Sequence, residues 1–338
     1  MDGVGECDSM ELRALGSTGL SVGVVSLGGL FVSAAGGPFE RAREAVHHAV
    51  VRGVNYVDTA PMYLDSEEVL GRILPEISAP VILSTKLGAR PQPFDPRDGA
   101  ALLESFETSC RLLGRRQIDI LMIHEPDRPR QFDWWEAMDA ARGPVMEVID
   151  RLKGEGRIRF AGLGGTTAYD MARLIRTGRF DVVLTAFNTS LMWREAWHEL
   201  IPAAAEQGMG IIAASPLQQG ALARIWRDEV ESADWLSKPR REQFRALYAL
   251  VDELDVSVPE LSLRFLLADP RLSTILMGAR SVEEVDSNID AVAKGPLPPA
   301  LMARLDEIAA MVPFRPHDEP FALPFGRPYA GTPAVGPI

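Results

Sequence analysis

The feature that most constrains this chain is a regular alternation. Eight short apolar runs rich in Val, Ile and Leu fall at residues 23–29, 55–59, 80–86, 118–125, 158–165, 181–187, 210–216 and 272–278. They are apolar on both faces, as strands of a parallel sheet covered on both sides must be. Stretches of helical periodicity lie between them, at 39–53, 99–114, 171–178, 194–208 and 241–254. The first two end at Gly53 and Gly114, where a helix stop is expected. Eight strands separated by helices predict an α/β fold of the (β/α)8 TIM-barrel type. An open doubly wound sheet is the competing architecture, and its mark is a Gly-rich turn between a strand and the helix that follows. The nearest match, Gly208-Met209-Gly210 with Ala213, precedes a strand instead of opening a helix, so that architecture is set aside.

A barrel accounts for residues 11–312 as one domain, between an extension at 1–10 and a Pro-rich tail at 313–338. Three connections are long for a compact domain. Residues 125–143 carry Trp134 and Trp135, residues 218–238 carry Trp226 and Trp235, and the tail carries Phe314, Phe321, Phe325 and Tyr329. These aromatics either line a substrate pocket or pack over the barrel. The formal net charge of −12 and the lack of a basic stripe argue against a nucleic-acid partner. Cys7 and Cys110 show no disulfide or zinc spacing, and Cys110 reads as a small core residue. The adjacent His47 and His48 point in different directions on a helix and make no chelate, so no metal is expected. No basic segment followed by an apolar region is read near residue 1 and no apolar run approaches a membrane span, so neither a leader nor a span is expected, and a cytoplasmic location is.

Function is read from the strand ends. Asp58 closes the second run, with Tyr63 in the loop after it, Lys86 closes the third and His124 the fourth. In a barrel all C-terminal strand ends meet on one face, so the fold brings the four together. A phenol is a poor proton donor at neutral pH. A neighbouring ammonium lowers its pKa, a carboxylate holds that ammonium, and an imidazole can donate to a carbonyl oxygen. Asp58 therefore holds Lys86, Lys86 tunes Tyr63, and His124 faces a carbonyl or alcohol. Each residue alone has a structural explanation: Asp58 a turn cap, Asp65 or Ser66 a helix cap, Lys86 a rim contact, His124 a core histidine. Four coincidences at ordered strand ends favour the joint reading. The relay moves only a proton, so a redox cofactor must complete it.

Over residues 11–311 the motifs "LRALGSTGLSVGVVSLGG", "GVNYVDTAPMYLDSEEVLG", "ILSTKLG", "IDILMIHEPD", "LKGEGRIRFAGLG", "ASPLQQGAL" and "ILMGARSVEEVDSNIDA" resemble the aldo-keto reductase superfamily. The resemblance implies an oxidoreductase barrel that binds NAD or NADP. It makes Tyr63 the general acid/base, with Asp58, Lys86 and His124 completing a catalytic tetrad. It also implies a cofactor site built from Gly29, Asp58, Gly164, Gly165, Ser215, Leu217, Gly220, Gly278, Arg280, Glu284 and Asn288. Substrate contacts would come from Phe31, Tyr63, His124, Trp134, Trp135 and Trp226.

Departures refine the expectation. Gly164 and Gly165 stand where the family often has Ser-Asn, Leu184 where a Gln is common, and Ala214 where an aromatic stacks on the nicotinamide. These changes resemble the branch containing galactose and threo-aldose dehydrogenases and pyridoxal dehydrogenase. Glu284 would repel a 2′-phosphate, while Arg280 could pair with one. Ser281 and Glu284 also fit a capping box. The resulting expectation is a small-molecule oxidoreductase, an NAD-linked sugar dehydrogenase ahead of two rivals. One is an NADPH-dependent reductase of a ketone or aldehyde in specialised metabolism. The other is an NADP-binding regulatory subunit. Oligomeric state is not legible.

Overall fold

The structure, a computed structural model, describes residues 10–316, 319–320 and 323–326. Cys7 and the tail residues Phe321 and Tyr329 lie outside the described residues.

An antiparallel hairpin of β1 (Leu12–Ala14) and β2 (Ser21–Gly23) precedes the barrel. The barrel strands are β3 (Val25–Gly28), β4 (Tyr56–Asp58), β5 (Ile82–Leu87), β6 (Ile118–His124), β7 (Ile158–Gly165), β8 (Val182–Ala186), β9 (Gly210–Ala214) and β10 (Thr274–Met277). They pair in parallel, in chain order, and β10 closes on β3. All eight expected strands are present, each shifted by at most two residues at either end. The helices around them are α1 (Phe39–Val51), α2 (Ser66–Ile73), α3 (Gly99–Leu113), α4 (Pro144–Gly154), α5 (Ala168–Ile175), α6 (Leu200–Glu206), α7 (Arg227–Ser232), α8 (Lys238–Leu254), α9 (Val258–Leu267), α10 (Val282–Ala293) and α11 (Pro299–Ala310). The helical stretch expected at 194–208 is broken. A 3-10 turn at Glu195–Trp197 comes first, and α6 starts only at Leu200.

Strand alternation divides the core in two. Outward residues such as Val57, Leu83, Leu121 and Ile123 pack under the helices. Inward residues Tyr56, Ile120, Met122, Val182, Leu184, Ile212, Ala214 and Leu276 fill the barrel together with Leu15, Leu20 and Val22 of the hairpin. The hairpin thus packs against one end of the barrel interior. No helix among the described residues is long and apolar enough to cross a membrane.

Candidate active site

Ladder register sets the polar strand ends side by side. Asp58 pairs with Ser84, Lys86 with Met122, and His124 with Gly164. Lys86 projects into the barrel and is buried at 1% exposure. Its ammonium donates to Asp58 Oδ2 at 2.6 Å and to the Thr59 carbonyl at 2.8 Å. The other oxygen of Asp58 accepts from Ser84 Oγ at 2.6 Å, and Ser84 Oγ lies 2.7 Å from the Tyr56 hydroxyl. The Lys86 ammonium lies 4.7 Å from the centre of the Tyr63 ring. The Tyr63 and His124 rings meet edge to face, 5.9 Å apart at 85°. The structure therefore gathers Asp58, Tyr63, Lys86 and His124 at one mouth.

Burial shapes their acidity. It works against the Lys86 ammonium, but Asp58 and Tyr63 outweigh it and leave the lysine pKa raised. For Tyr63 burial is again the largest influence, followed by the downward pull of Lys86, and the net result is a raised phenol pKa. The sequence expectation that Lys86 brings the phenol down is therefore corrected: its charge acts in that direction, and desolvation of the phenolate is stronger. Burial, reinforced by the Lys86 charge, holds His124 well below the usual histidine value, so its imidazole is neutral at pH 7. His124 Nδ1 is buried without a hydrogen-bond partner. Trp134 fixes the same residue from behind, donating from Nε1 to the His124 carbonyl at 3.0 Å.

The backbone is locally strained around this mouth. Leu64, Glu125, Phe187 and Ser215, each just beyond Tyr63 or a strand end, have φ of 51°, 49°, 68° and 52°. Left-handed backbone at non-glycine residues tends to gather at functional sites.

The expected cofactor residues divide between two places. Around the Lys86 side chain, Gly164 leaves room that a β-carbon would narrow to 3.3 Å from Lys86 Cε. Gly165 turns outward, where a β-carbon would lie 2.4 Å from Met171 Sδ and 2.5 Å from Asp127 Oδ1. Gly29 backs onto the Asp58 carbonyl. On the far side lie Ser215, Leu217 and Gly220, after β9. Gly220 has φ 105°, with nothing within 4 Å of a side-chain position. Gly278 after β10 packs against the Phe31 ring, over which Arg280 Cζ sits at 5.3 Å. Phe31, expected among the substrate residues, thus stands with Gly278 and Arg280. Glu284 accepts from the Arg280 amide at 2.8 Å and pairs with its guanidinium at 3.0 Å. The Glu284 amide in turn donates to Ser281 Oγ at 3.4 Å, capping α10. Asn288 follows one turn later on the same face of α10.

The expected substrate tryptophans are largely enclosed. Trp134 is fully buried against Phe94 and Phe132. Trp135 donates to the Pro126 carbonyl at 2.7 Å. Trp226 stacks on Phe325 and donates to the Gly220 carbonyl at 3.0 Å. Asp65 and Ser66 do not cap α2 with their side chains. Asp65 accepts from the Ala34 amide, and Ser66 bridges Thr59 and the Gly29 carbonyl.

Sequence reasoning missed several polar residues at the mouth. Glu125 accepts from Thr166 Oγ1 at 3.0 Å and pairs with Arg128 at 3.1 Å. Burial, then the charge of Asp127, pushes its pKa up to about 7. Asp127 accepts from the Thr166 and Thr167 amides at the start of α5. Asn188 donates to the Thr166 carbonyl at 2.7 Å, and Gln218 to the Phe187 carbonyl at 2.7 Å. The signal available was position: Glu125 and Asp127 lie within three residues of His124.

A sequence profile of the Aldo/keto reductase family matches residues 20–310. The chain is 29% identical over 300 residues to L-galactose dehydrogenase of Arabidopsis thaliana, covering 84% of this chain and 89% of that one. It is 28% identical over 320 residues to pyridoxal 4-dehydrogenase of Microbacterium luteolum, covering 82% and 92%. Its fold superimposes on the holo form of an aldo-keto reductase from Bacillus halodurans with a TM-score of 0.72 at 24% identity, over 92% of this chain and 100% of that one.

Proposed function

The chain belongs to the aldo/keto reductase family of NAD(P)-dependent oxidoreductases, and from that premise we propose that it is a dehydrogenase of sugars or related hydroxylated alcohols that favours NAD. The observation that carries the mechanistic part is the placement of the Lys86 ammonium between Asp58 and the Tyr63 ring, beside a neutral His124.

The nicotinamide supplies or accepts the hydride when bound. Everything else falls to the protein. Tyr63 takes the proton from the substrate hydroxyl during oxidation, or gives it to the carbonyl during reduction. Its raised pKa keeps it protonated at neutral pH, so it is ready as an acid. As a base it gains from the Lys86 charge, which Asp58 holds in place. His124 offers its neutral ring to the substrate oxygen. Residues suited to the dinucleotide are Ser215, Leu217 and Gly220 after β9, where Gly220 leaves open space, and the start of α10 with Gly278, Arg280 and Glu284.

The sugar assignment rests on two supports. The relatives named above include a dehydrogenase of galactose. The polar group of Glu125, Arg128 and Thr166 at the His124 strand end suits a hydroxylated substrate. The preference for NAD rests on Glu284. Its carboxylate already holds Arg280, and a 2′-phosphate would meet that carboxylate or have to break the pair. The half-exposed Arg280 guanidinium favours the second reading, an NADPH-dependent reductase, if it swings away from Glu284.

Kinetics with aldoses, lactols, aromatic aldehydes and ketones, each with both cofactors, test the assignment. Oxidation of aldoses with NAD is the expected result. Turnover confined to ketones and aldehydes with NADPH would transfer the chain to the second reading. Tyr63→Phe is expected to lose on the order of 10²–10⁴ in turnover with cofactor affinity unchanged. Full turnover in that variant discards the mechanism.

A further inference from the structure

Two consecutive residues of β5 face opposite sides of the barrel wall. Lys86 turns inward to Asp58 and Tyr63. Thr85 turns outward, is fully buried, and donates from Oγ1 to Glu67 Oε1 at 2.6 Å. Glu67 lies near the start of α2, four residues after Tyr63, and its side chain is 2% exposed. Its second oxygen is paired with Arg90 in the loop after β5, and Arg90 also donates to Ser109 of α3 at 2.8 Å. A carboxylate this deep costs free energy unless it is both paired and hydrogen-bonded. Its partners here come from two elements besides its own, and neither touches the inward-facing site.

The Tyr63 loop has a second anchor at the neighbouring residue, the first of α2. Ser66 Oγ bridges Thr59 Oγ1 and the Gly29 carbonyl, both at 2.8 Å. The second of these bonds ties the loop to the residue that follows β3. The tie from Glu67 to Thr85 fixes α2 to the strand that carries Lys86.

We propose that Glu67 and Thr85 form a positioning clamp that sets the separation of the Tyr63 phenol from the Lys86 ammonium, working from the outer face of the barrel. The clamp rests on the reading of Tyr63 as the proton-transfer group. Without it α2 is tied to the β5 side only by apolar contacts and by the ion pair of Glu67 with Arg90, which lies in the loop beyond the strand and does not hold the strand itself in register. A shift of about 1 Å at a reacting group can cost up to hundredfold in rate.

The groups that face the Tyr63 phenol are Lys86 from β5, Asp58 from β4, and His124 and Glu125 from the end of β6. Of these only Lys86 favours the phenolate, so slackening the clamp moves phenol ionisation to higher pH. Thr85→Val removes the hydroxyl at nearly constant volume and leaves the ion pair of Glu67 with Arg90 in place. Ionisation of Tyr63 can be followed in the near ultraviolet as the component that Tyr63→Phe lacks.

The expected result is an upward shift of that component in Thr85→Val. With it comes a fall in kcat of about tenfold or more, with KM and cofactor Kd little changed, and Thr85→Ser restores both. If Thr85→Val folds poorly, Thr85→Ala, which also removes the donating hydroxyl and leaves Glu67 and Arg90 paired, serves as the second variant, and the same upward shift is expected. A Tyr63 titration superimposable on the wild type in the folded variants overturns the clamp, whatever turnover shows. Absence of wild-type turnover on every carbonyl and alcohol tried would count against the functional reading instead, and the phenol titration would still decide the clamp.

Discussion

Glu125 follows His124 directly, and its acidity is set by burial together with charges both near and far along the chain. Burial is the main cause of its raised pKa, Asp127 adds to it, and Arg128, Thr166 and Lys86 oppose it, leaving a value of about 7 against an ordinary 4.5. The folded protein therefore binds this proton more tightly than the unfolded chain. Between those two values the native state carries the extra proton, so stability is highest below the window and falls as pH rises through it. The difference at the upper end is on the order of 3 kcal/mol. Glu125→Gln, which cannot ionise, is expected to flatten that fall. It should melt above the wild type near pH 8, with the gap closing towards pH 4, in thermal unfolding followed across pH. Parallel curves for the two proteins would show that Glu125 ionises as it does in water. The tetrad was legible from sequence because barrel geometry turns strand order into proximity, and Asp58, Lys86 and His124 end successive strands. Glu125 and Glu67 were not legible, since their partners Thr166 and Thr85 lie 41 and 18 residues away and carry no motif of their own. The net direction of the Tyr63 shift was misjudged for a related reason. Proximity of a charge can be inferred from a motif, but depth of burial cannot.

The barrel strands and five of the helices, α1, α3, α5, α6 and α8, follow from periodicity, whereas the β1–β2 hairpin does not. Its strands have three residues each, too few for an alternation to show. Its role appears only in packing, where Leu15, Leu20 and Val22 join Ile120, Met122 and Ile212 inside the barrel. The turn between the two strands is held by close contact. Gly16 has φ 55°, and a β-carbon there would lie 2.2 Å from the Gly210 amide nitrogen at the start of β9. Gly19 in the same turn has φ 74° but nothing within 4 Å. The pair separates two costs. Gly19→Ala meets only the left-handed penalty of about 1–2 kcal/mol. Gly16→Ala adds overpacking against backbone that cannot move aside, for a total of about 2–5 kcal/mol. Denaturant titration of both variants reads the difference directly, and equal midpoints would mean that the hairpin is not seated against β9 as described.

At the scale of the whole molecule, the described tail residues pack beside the loops of the candidate site and are anchored by charge in an apolar setting. Glu319 accepts from Arg240 Nε of α8 at 2.6 Å and from Trp193 Nε1 at 2.9 Å, and Arg240 is fully buried. Phe325 packs against Trp226, Trp235 and Phe244. Arg315 donates to Gln218 at 3.4 Å, and Gln218 is tied to the Phe187 carbonyl after β8. The tail thus braces the segment after β9 that carries Ser215, Leu217 and Gly220. An exposed pair such as Arg227 with Asp252 contributes little. Removing one member of a buried pair leaves the other charge uncompensated, at a cost of about 3–5 kcal/mol. Glu319→Ala is therefore expected to lower stability by that amount, and Asp252→Ala by less than about 1 kcal/mol. The two substitutions should also differ in function. Slackening the tail frees the Gln218 segment, so Glu319→Ala should weaken cofactor binding in fluorescence titration at a temperature where it remains folded, and Asp252→Ala should not. A destabilised Glu319→Ala that bound cofactor as tightly as the wild type would confine the tail to a stabilising role. Tight binding would then have to come from the barrel and its short loops alone.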